Sequence, residues 1–322
     1  MDVLRWISEK DVFLNYLVQR DLLDINEENL ENLRNKITSE GFGLSLVDKQ
    51  DLKTYMWGEG VYSPKYTSTH YTLLSFCQIG ANISKDRFIM AIEILLNTMW
   101  VNKGKVKPYR HQDMCVVAMM LRISCEAKIN DFRITEMVDY ILNHQMSDGG
   151  WNCAWERRIK PKQSSLHTTL SVIEALESYL RNGYTYQKPK IDKVIPRGFE
   201  YILSKRLFRS VSKNEVINKE ILNFPFPYGW KYDILRALVV MAKLKVRYDI
   251  RMQESIELLI NRLDAYGRIK ADKRPVGKYH SHFTKTSKLC PYNTYRVLYI
   301  LKAYKKQIYE GFIKKYFMKT YI

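Results

Sequence analysis

The sequence predicts an all-α protein built from repeated helical hairpins. Three observations carry that expectation. Amphipathic helical segments recur along the chain, a nearly all-apolar helical segment follows each, and the 14 Gly and 9 Pro are too dispersed to form a flexible linker. With 46% hydrophobic residues in 322, the chain can bury a substantial core.

The first kind of segment occurs at 30–47, 86–105, 132–151, 194–208 and 252–270. Each places apolar residues near i, i+3, i+4 and i+7, which marks a helix with one buried face. The copy at 30–47, LENLRNKITSEGFGLSLV, is the most degraded. All but the 194–208 copy have Gly shortly after the last apolar positions, where a helix can end in a left-handed residue.

The second kind follows after a loop, at 68–80, 109–123, 164–179, 228–244 and 291–304. These segments open on small, polar or aromatic residues and then turn apolar on every side, so protein should surround them. Outer amphipathic helices alternating with inner apolar ones form a two-layer array. The landmarks His70, Asp113, His167, Tyr232 and Asn293 are separated by 43, 54, 65 and 61 residues, longer than most solenoid repeats. An open solenoid is the alternative. If the array closes, the inner-helix starts converge on one end of a central cavity. The organisation expected is one domain over 1–322: a degraded N-terminal hairpin region to about 60, clear repeats over about 60–305, and a basic tail at 306–322.

Composition narrows the function classes. Five scattered cysteines, Cys77, Cys115, Cys125, Cys153 and Cys290, do not form a disulfide framework. No stretch reaches the ~18 uninterrupted apolar residues of a membrane span. The N-terminus does not read as a signal peptide, so a cytoplasmic location is expected. The net charge of +18 suits phosphorylated ligands or peripheral contact with an anionic membrane; nucleic acid is not the expected partner. A generally Lys-rich surface accounts for the same charge.

The stretch QMSDGGWNCAWERRIKPKQSSLHTTLSVIEAL, with Gln145, Gly149, Gly150 and Trp151, resembles the Gln…Gly-Gly-Trp/Phe repeat of squalene-cyclase-like proteins and protein prenyltransferase β subunits. FPYGWKYDILRAL and PYNTYRVLYIL look like further copies, and the resemblance covers about residues 60–305. It implies an α/α-toroid, with inner and outer helical rings around an apolar, aromatic-lined cavity that holds an isoprenoid. Trp151, Trp230, Tyr232 and Asn293 are the expected lining residues.

The Asp-x-Asp-Asp acid motif of proton-initiated cyclases does not occur here. A cyclase-like enzyme with another acid stays open, with Asp233 as a candidate. Against the prenyltransferase pattern, Asp113 and Cys115 match the Asp-x-Cys zinc ligands at the start of one inner helix. His167, 52 residues beyond Cys115, matches the His at the start of the next. Three such ligands leave a fourth zinc position open for a substrate thiol. Lys107 and Arg110 match the family's diphosphate-gripping pair, though in reversed order, and Lys103 and Lys105 extend the cluster. Cations there would offset charge growing on the leaving group. His70 roughly matches a diphosphate-binding His. Val116 stands where the family usually has Tyr.

The resemblance therefore implies a zinc-dependent prenyltransferase-like transferase acting on an isoprenyl diphosphate, with a protein or peptide acceptor and a separate subunit in the family. Each residue also has a plainer role: core packing for Cys115 and the aromatics, helix capping for Asp113 and His167, a solvated loop for 103–110. A non-catalytic toroid that binds a lipid or a protein is the third reading.

Overall fold

The computed structural model describes residues 2–107, 110–156 and 160–320, with side chains described to Ile313. The fold is all-α. In the N-terminal region lie α1 (Val3–Ser8), α2 (Val12–Leu17, continued to Leu22 as a π-helical turn), α3 (Glu27–Lys36) and α4 (Gly41–Val47). The apolar helices are α5 (Thr69–Gln78), α7 (Met114–Glu126), α9 (Leu166–Arg181), α11 (Ile234–Lys243) and α13 (Pro291–Tyr304). The amphipathic ones are α6 (Asp86–Met99), α8 (Phe132–Asn143), α10 (Lys188–Ser204) and α12 (Gln253–Ile260). Strands β1 (Lys105–Lys107) and β2 (Arg110–His111) pair as a short antiparallel hairpin before α7, and α14 (Lys306–Thr320) follows α13.

Packing follows the two kinds of segment. α5 contacts α7, α7 contacts α9, α9 contacts α11 and α11 contacts α13. The amphipathic helices back this series, with α6 on α5 and α7, α8 on α7, and α10 on α8 and α9. α13 reaches back to the beginning: it packs on α1 and α2, and Tyr292 Oη donates to the Gln78 carbonyl of α5 at 3.1 Å.

The DGGW motif is a clasp between layers. Gln145 Nε2 donates to Gly149 O at 2.8 Å and to Val194 O of α10 at 3.0 Å. Trp151 is fully buried; its indole donates to Ile141 O of α8 at 2.8 Å, and its backbone N–H donates to Thr169 Oγ1 of α9 at 3.0 Å. Both glycines are required by space. Gly149 has φ +91°, and a Cβ there would sit 2.5 Å from Arg197 O. A Cβ on Gly150 would meet Thr169 Oγ1 at 2.6 Å.

The same clasp occurs earlier without a Gly-Gly pair. Gln50 Nε2 donates to Tyr55 O (2.9 Å) and to Arg87 O of α6 (3.0 Å). Trp57 donates through its indole to Leu46 O (2.7 Å) and through its backbone to Thr69 Oγ1 of α5 (3.0 Å). The degraded segment at 30–47 holds the helix α3, a turn and a second short helix, α4, and α4 takes the place that α8 has in the later copy.

Residues 306–313 of the expected basic tail pack as helix. Tyr309 Oη donates to Leu22 O at 3.0 Å and Ile313 is buried. The side chains of 314–320 and the whole of 321–322 lie outside the described residues. Among the described residues, no helix is long and apolar enough to cross a membrane.

The clasp should contribute measurably to stability. Replacing Thr169 by Val keeps the volume but leaves the buried Trp151 N–H without its acceptor, which costs about 1–3 kcal/mol. Urea unfolding should show a lower midpoint for Thr169→Val; a shift equivalent to less than about 0.5 kcal/mol would mean the bond contributes little.

Candidate functional site

The sequence-predicted residues sit where expected, at the starts of the inner helices, but they are not gathered into one centre. Lys107 and Arg110 are exposed on the β1–β2 hairpin. Asp113 is the N-cap residue of α7 without a capping side-chain bond; it faces Arg110, whose Nη2 lies 3.4 Å from its Oδ1. That pairing commits part of the Arg110 charge.

Cys115 turns toward Cys153, on the loop after Trp151, a residue to which the sequence reading gave no site role. The Cys115 backbone N–H donates to Cys153 Sγ at 3.2 Å, and Thr168 Oγ1 lies 3.3 Å from the same sulfur. The closeness of the two thiols raises Cys115, with burial adding to it, and lowers Cys153. His167, at the start of α9, turns the other way. Its Nδ1 accepts the Tyr232 backbone N–H at 2.8 Å, and its ring lies 5.1 Å from Trp230. Burial, helped by the charge of Arg236, lowers it to about 4. Among the described residues, no three His, Cys, Asp or Glu side chains form a group that could hold a metal ion. The donor set named from the sequence therefore does not fit zinc as these side chains are held. The physical reason is that Cys115 is satisfied within the α7–α9 seam and His167 by the approach to α11.

His70 is fully buried with neither ring nitrogen bonded, edge-on to Tyr62 and Tyr71. Burial alone lowers it to about 3, so it is neutral at pH 7 and adds no cation to a diphosphate site.

Of the four expected cavity-lining residues, none lines the central chamber. Trp151 is locked in the clasp. Trp230 is half-buried in a surface recess beside Lys65. Tyr232 is anchored by its hydroxyl to Leu207 O at 2.7 Å. Asn293 is buried and donates to Phe224 O at 2.7 Å.

The central chamber is a cavity of about 280 Å³, walled by all five inner helices, the N-terminal segment and the loop before α11. It lies deeper than the helix starts: Arg122, on its wall, is roughly 13 Å further along α7 than Asp113. Its wall is ionised. Glu174 of α9 accepts from Arg122 of α7 at 2.8 Å and from Arg236 of α11 at 2.6 Å, all three buried. Burial pushes Glu174 up, but the two guanidiniums hold it down at about 2. Arg181 pairs with Glu126 and Glu177, and Arg20 with Asp21. The Tyr228 ring lies between the Arg236 and Arg296 guanidiniums, 4.9 and 5.0 Å from them.

These residues were missed because each stands alone in an apolar run: MLRIS, VIEAL, ILRAL and YRVLY. The available signal was the repetition itself, one charge inside the apolar run of each of four successive inner helices. Asp233, the acid candidate from the sequence, is buried at the head of α11. Burial raises it although Arg296 opposes; its Oδ2 is unbonded and its Oδ1 lies 3.6 Å from Arg296 Nη2.

No protein-family model matches the chain, and no curated protein matches it.

Two outcomes follow from this geometry. Glu174→Gln leaves two buried guanidiniums short of their counter-charge and should destabilise by about 3–5 kcal/mol in urea unfolding; a loss under about 1 kcal/mol would show that Arg122 and Arg236 are satisfied without it. Below pH 6.5 the unfolded chain takes up a proton at His70 that the folded chain does not. Stability should therefore fall by about 2 kcal/mol between pH 7 and pH 5 from this group alone. His70→Phe should flatten that slope by one proton, and an unchanged slope would place the acid sensitivity elsewhere.

Proposed function

We propose that the chain is an α/α-toroid, the architecture of protein prenyltransferases and terpenoid cyclases, used to hold a hydrophilic ligand. The serial contacts of α5, α7, α9, α11 and α13, and the Tyr292–Gln78 bond between the last and the first of them, support a closed ring. The Gln–Trp–Thr clasps support the likeness to those families, because the repeat motif performs the same layer-joining task twice.

One observation carries the ligand reading: Glu174 and its two guanidiniums occupy the wall where an isoprenoid chain would lie. Hydrocarbon packed there would strip water from ionised groups without offering hydrogen bonds in return. The chamber therefore suits a solute that replaces water, not one that avoids it. A cyclase-like reading has one observation in its favour, the raised Asp233 carboxyl with a free oxygen. Its nearest charged neighbour is a guanidinium rather than an apolar substrate channel.

Thermal melting with lipid and head group offered separately tests the choice. Farnesol should leave Tm unchanged, and farnesyl diphosphate should raise it no more than inorganic diphosphate at equal concentration. Stabilisation by farnesol, or a farnesyl gain of about tenfold or more in affinity, would restore the isoprenoid reading.

A further inference from the structure

The five cysteines fall into two groups. Cys77, Cys125 and Cys290 are buried in the core, where a thiol serves as a small apolar side chain. Cys115 and Cys153 are partly exposed, and they meet although 38 residues separate them. Cys115 stands in the first turn of α7. Cys153 follows Trp151 by two positions, on a loop pinned by its neighbours. Asn152 Oδ1 accepts the Ala154 N–H at 2.9 Å, Asn152 Nδ2 donates to Gln163 O at 2.9 Å, and the Ser165 N–H donates to Trp151 O at 2.8 Å. Joining the layers does not itself require a thiol there, because Glu59 holds the matching position after Trp57 in the earlier clasp.

The Cys153 sulfur lies where two inner helices begin. It accepts the Cys115 N–H of α7 at 3.2 Å, and Thr168 Oγ1, in the first turn of α9, lies within donating reach at 3.3 Å. Donors and positive helix ends that converge on one sulfur favour it as a nucleophile. Asp113, the N-cap residue of α7, is the nearby opposing charge, and its carboxylate is turned to Arg110. The amide that holds the Cys153 sulfur belongs to Cys115 itself. The second thiol therefore branches from the same residue that fixes the first, and the two are close enough for each to perturb the other.

We propose that Cys153 and Cys115 form a site of reversible oxidation by hydroperoxides, with Cys153 as the attacking thiol and Cys115 as the resolving one. The Cys153 sulfur attacks the terminal oxygen of the hydroperoxide and breaks the O–O bond. The Cys153 thiol proton goes to the departing oxygen, which leaves as an alcohol, or as water where the oxidant is hydrogen peroxide. Cys153 is then a sulfenic acid, oxidised by two electrons. The Cys115 sulfur attacks the Cys153 sulfur and expels hydroxide, which leaves as water with the Cys115 proton. The balance is two thiols and one hydroperoxide giving one disulfide, one alcohol and one water. The disulfide fastens the loop after Trp151 to the first turn of α7, and a dithiol reductant reverses it by exchange. This site is independent of what the central chamber holds.

Peptide mapping of the full chain tests it. Reduced protein is treated with hydrogen peroxide, its remaining thiols are alkylated, and it is digested with trypsin without reductant. Trypsin places each of the five cysteines in a separate peptide, with Cys115 in 111–122 and Cys153 in 134–157. A species joining those two peptides, two hydrogens lighter than their sum, should be the main product, and dithiothreitol should abolish it. It should form about tenfold or more faster in the folded chain than in urea, since folding holds the thiols together. In Cys115→Ser, dimedone should trap a sulfenic acid on Cys153. In Cys153→Ser, no link forms and Cys115 stays alkylatable. Absence of the 111–122 to 134–157 link in the peroxide-treated wild type overturns the proposal, as does a link that forms equally fast in urea. Dimedone found on Cys115 in Cys153→Ser, with none on Cys153 in Cys115→Ser, overturns the assignment of the attacking thiol. Circular dichroism checks that the variants fold; if they do not, the wild-type comparison between folded and urea-treated protein decides alone.

Discussion

The shared carboxylate of Glu174 is the constraint around which the inner layer is arranged. One acid on α9 satisfies a guanidinium from each neighbouring helix, α7 and α11, and does so out of bulk water. Such a triad contributes little net stability against an apolar equivalent, but removing any member strands the others. It therefore fixes which faces of three helices meet and at what depth. Apolar surfaces alone would tolerate sliding by a turn; a bidentate charge cluster does not. The chamber inherits its polarity from this arrangement.

Most of the fold was legible because two periodicities are robust to local detail. A one-sided apolar stripe and an all-round apolar run are distinguishable by eye, and α5 to α13 fall where those patterns place them. What was not legible came from substitution within a conserved geometry. The Gln50–Trp57–Thr69 clasp lacks the paired glycines that made the Gln145–Trp151 copy conspicuous, since its loop takes another path to the same bonds. The 30–47 segment, a degraded helix and its turn in the sequence, goes on into a second short helix, α4, that begins at Gly41 with a positive φ.

Function was less legible than fold for a directional reason. Sequence spacing locates helix starts but not which way a side chain leaves them. Asp113, Cys115 and His167 do stand at consecutive starts, yet one faces Arg110, one faces Cys153 and one takes the Tyr232 amide. The charges that matter for the chamber were read as exceptions inside apolar helices rather than as a set. Arg122, Glu174, Arg236 and Arg296 become a set only when the helices are brought side by side.

The seam joining α13 and α14 to the first helices has a consequence for assembly. Tyr295 bonds Asp21 across 274 residues, and Tyr309 bonds Leu22 across 287. Contacts of such separation carry the largest loop-closure entropy and tend to be slow to form. Individual hairpins can collapse locally while a strand of wall is still lacking, since Arg20 and Arg34 come from one side of that seam and Arg296 from the other. The chamber is thus a late product of folding, and occupancy of it would report completion of the whole chain rather than the integrity of any single hairpin.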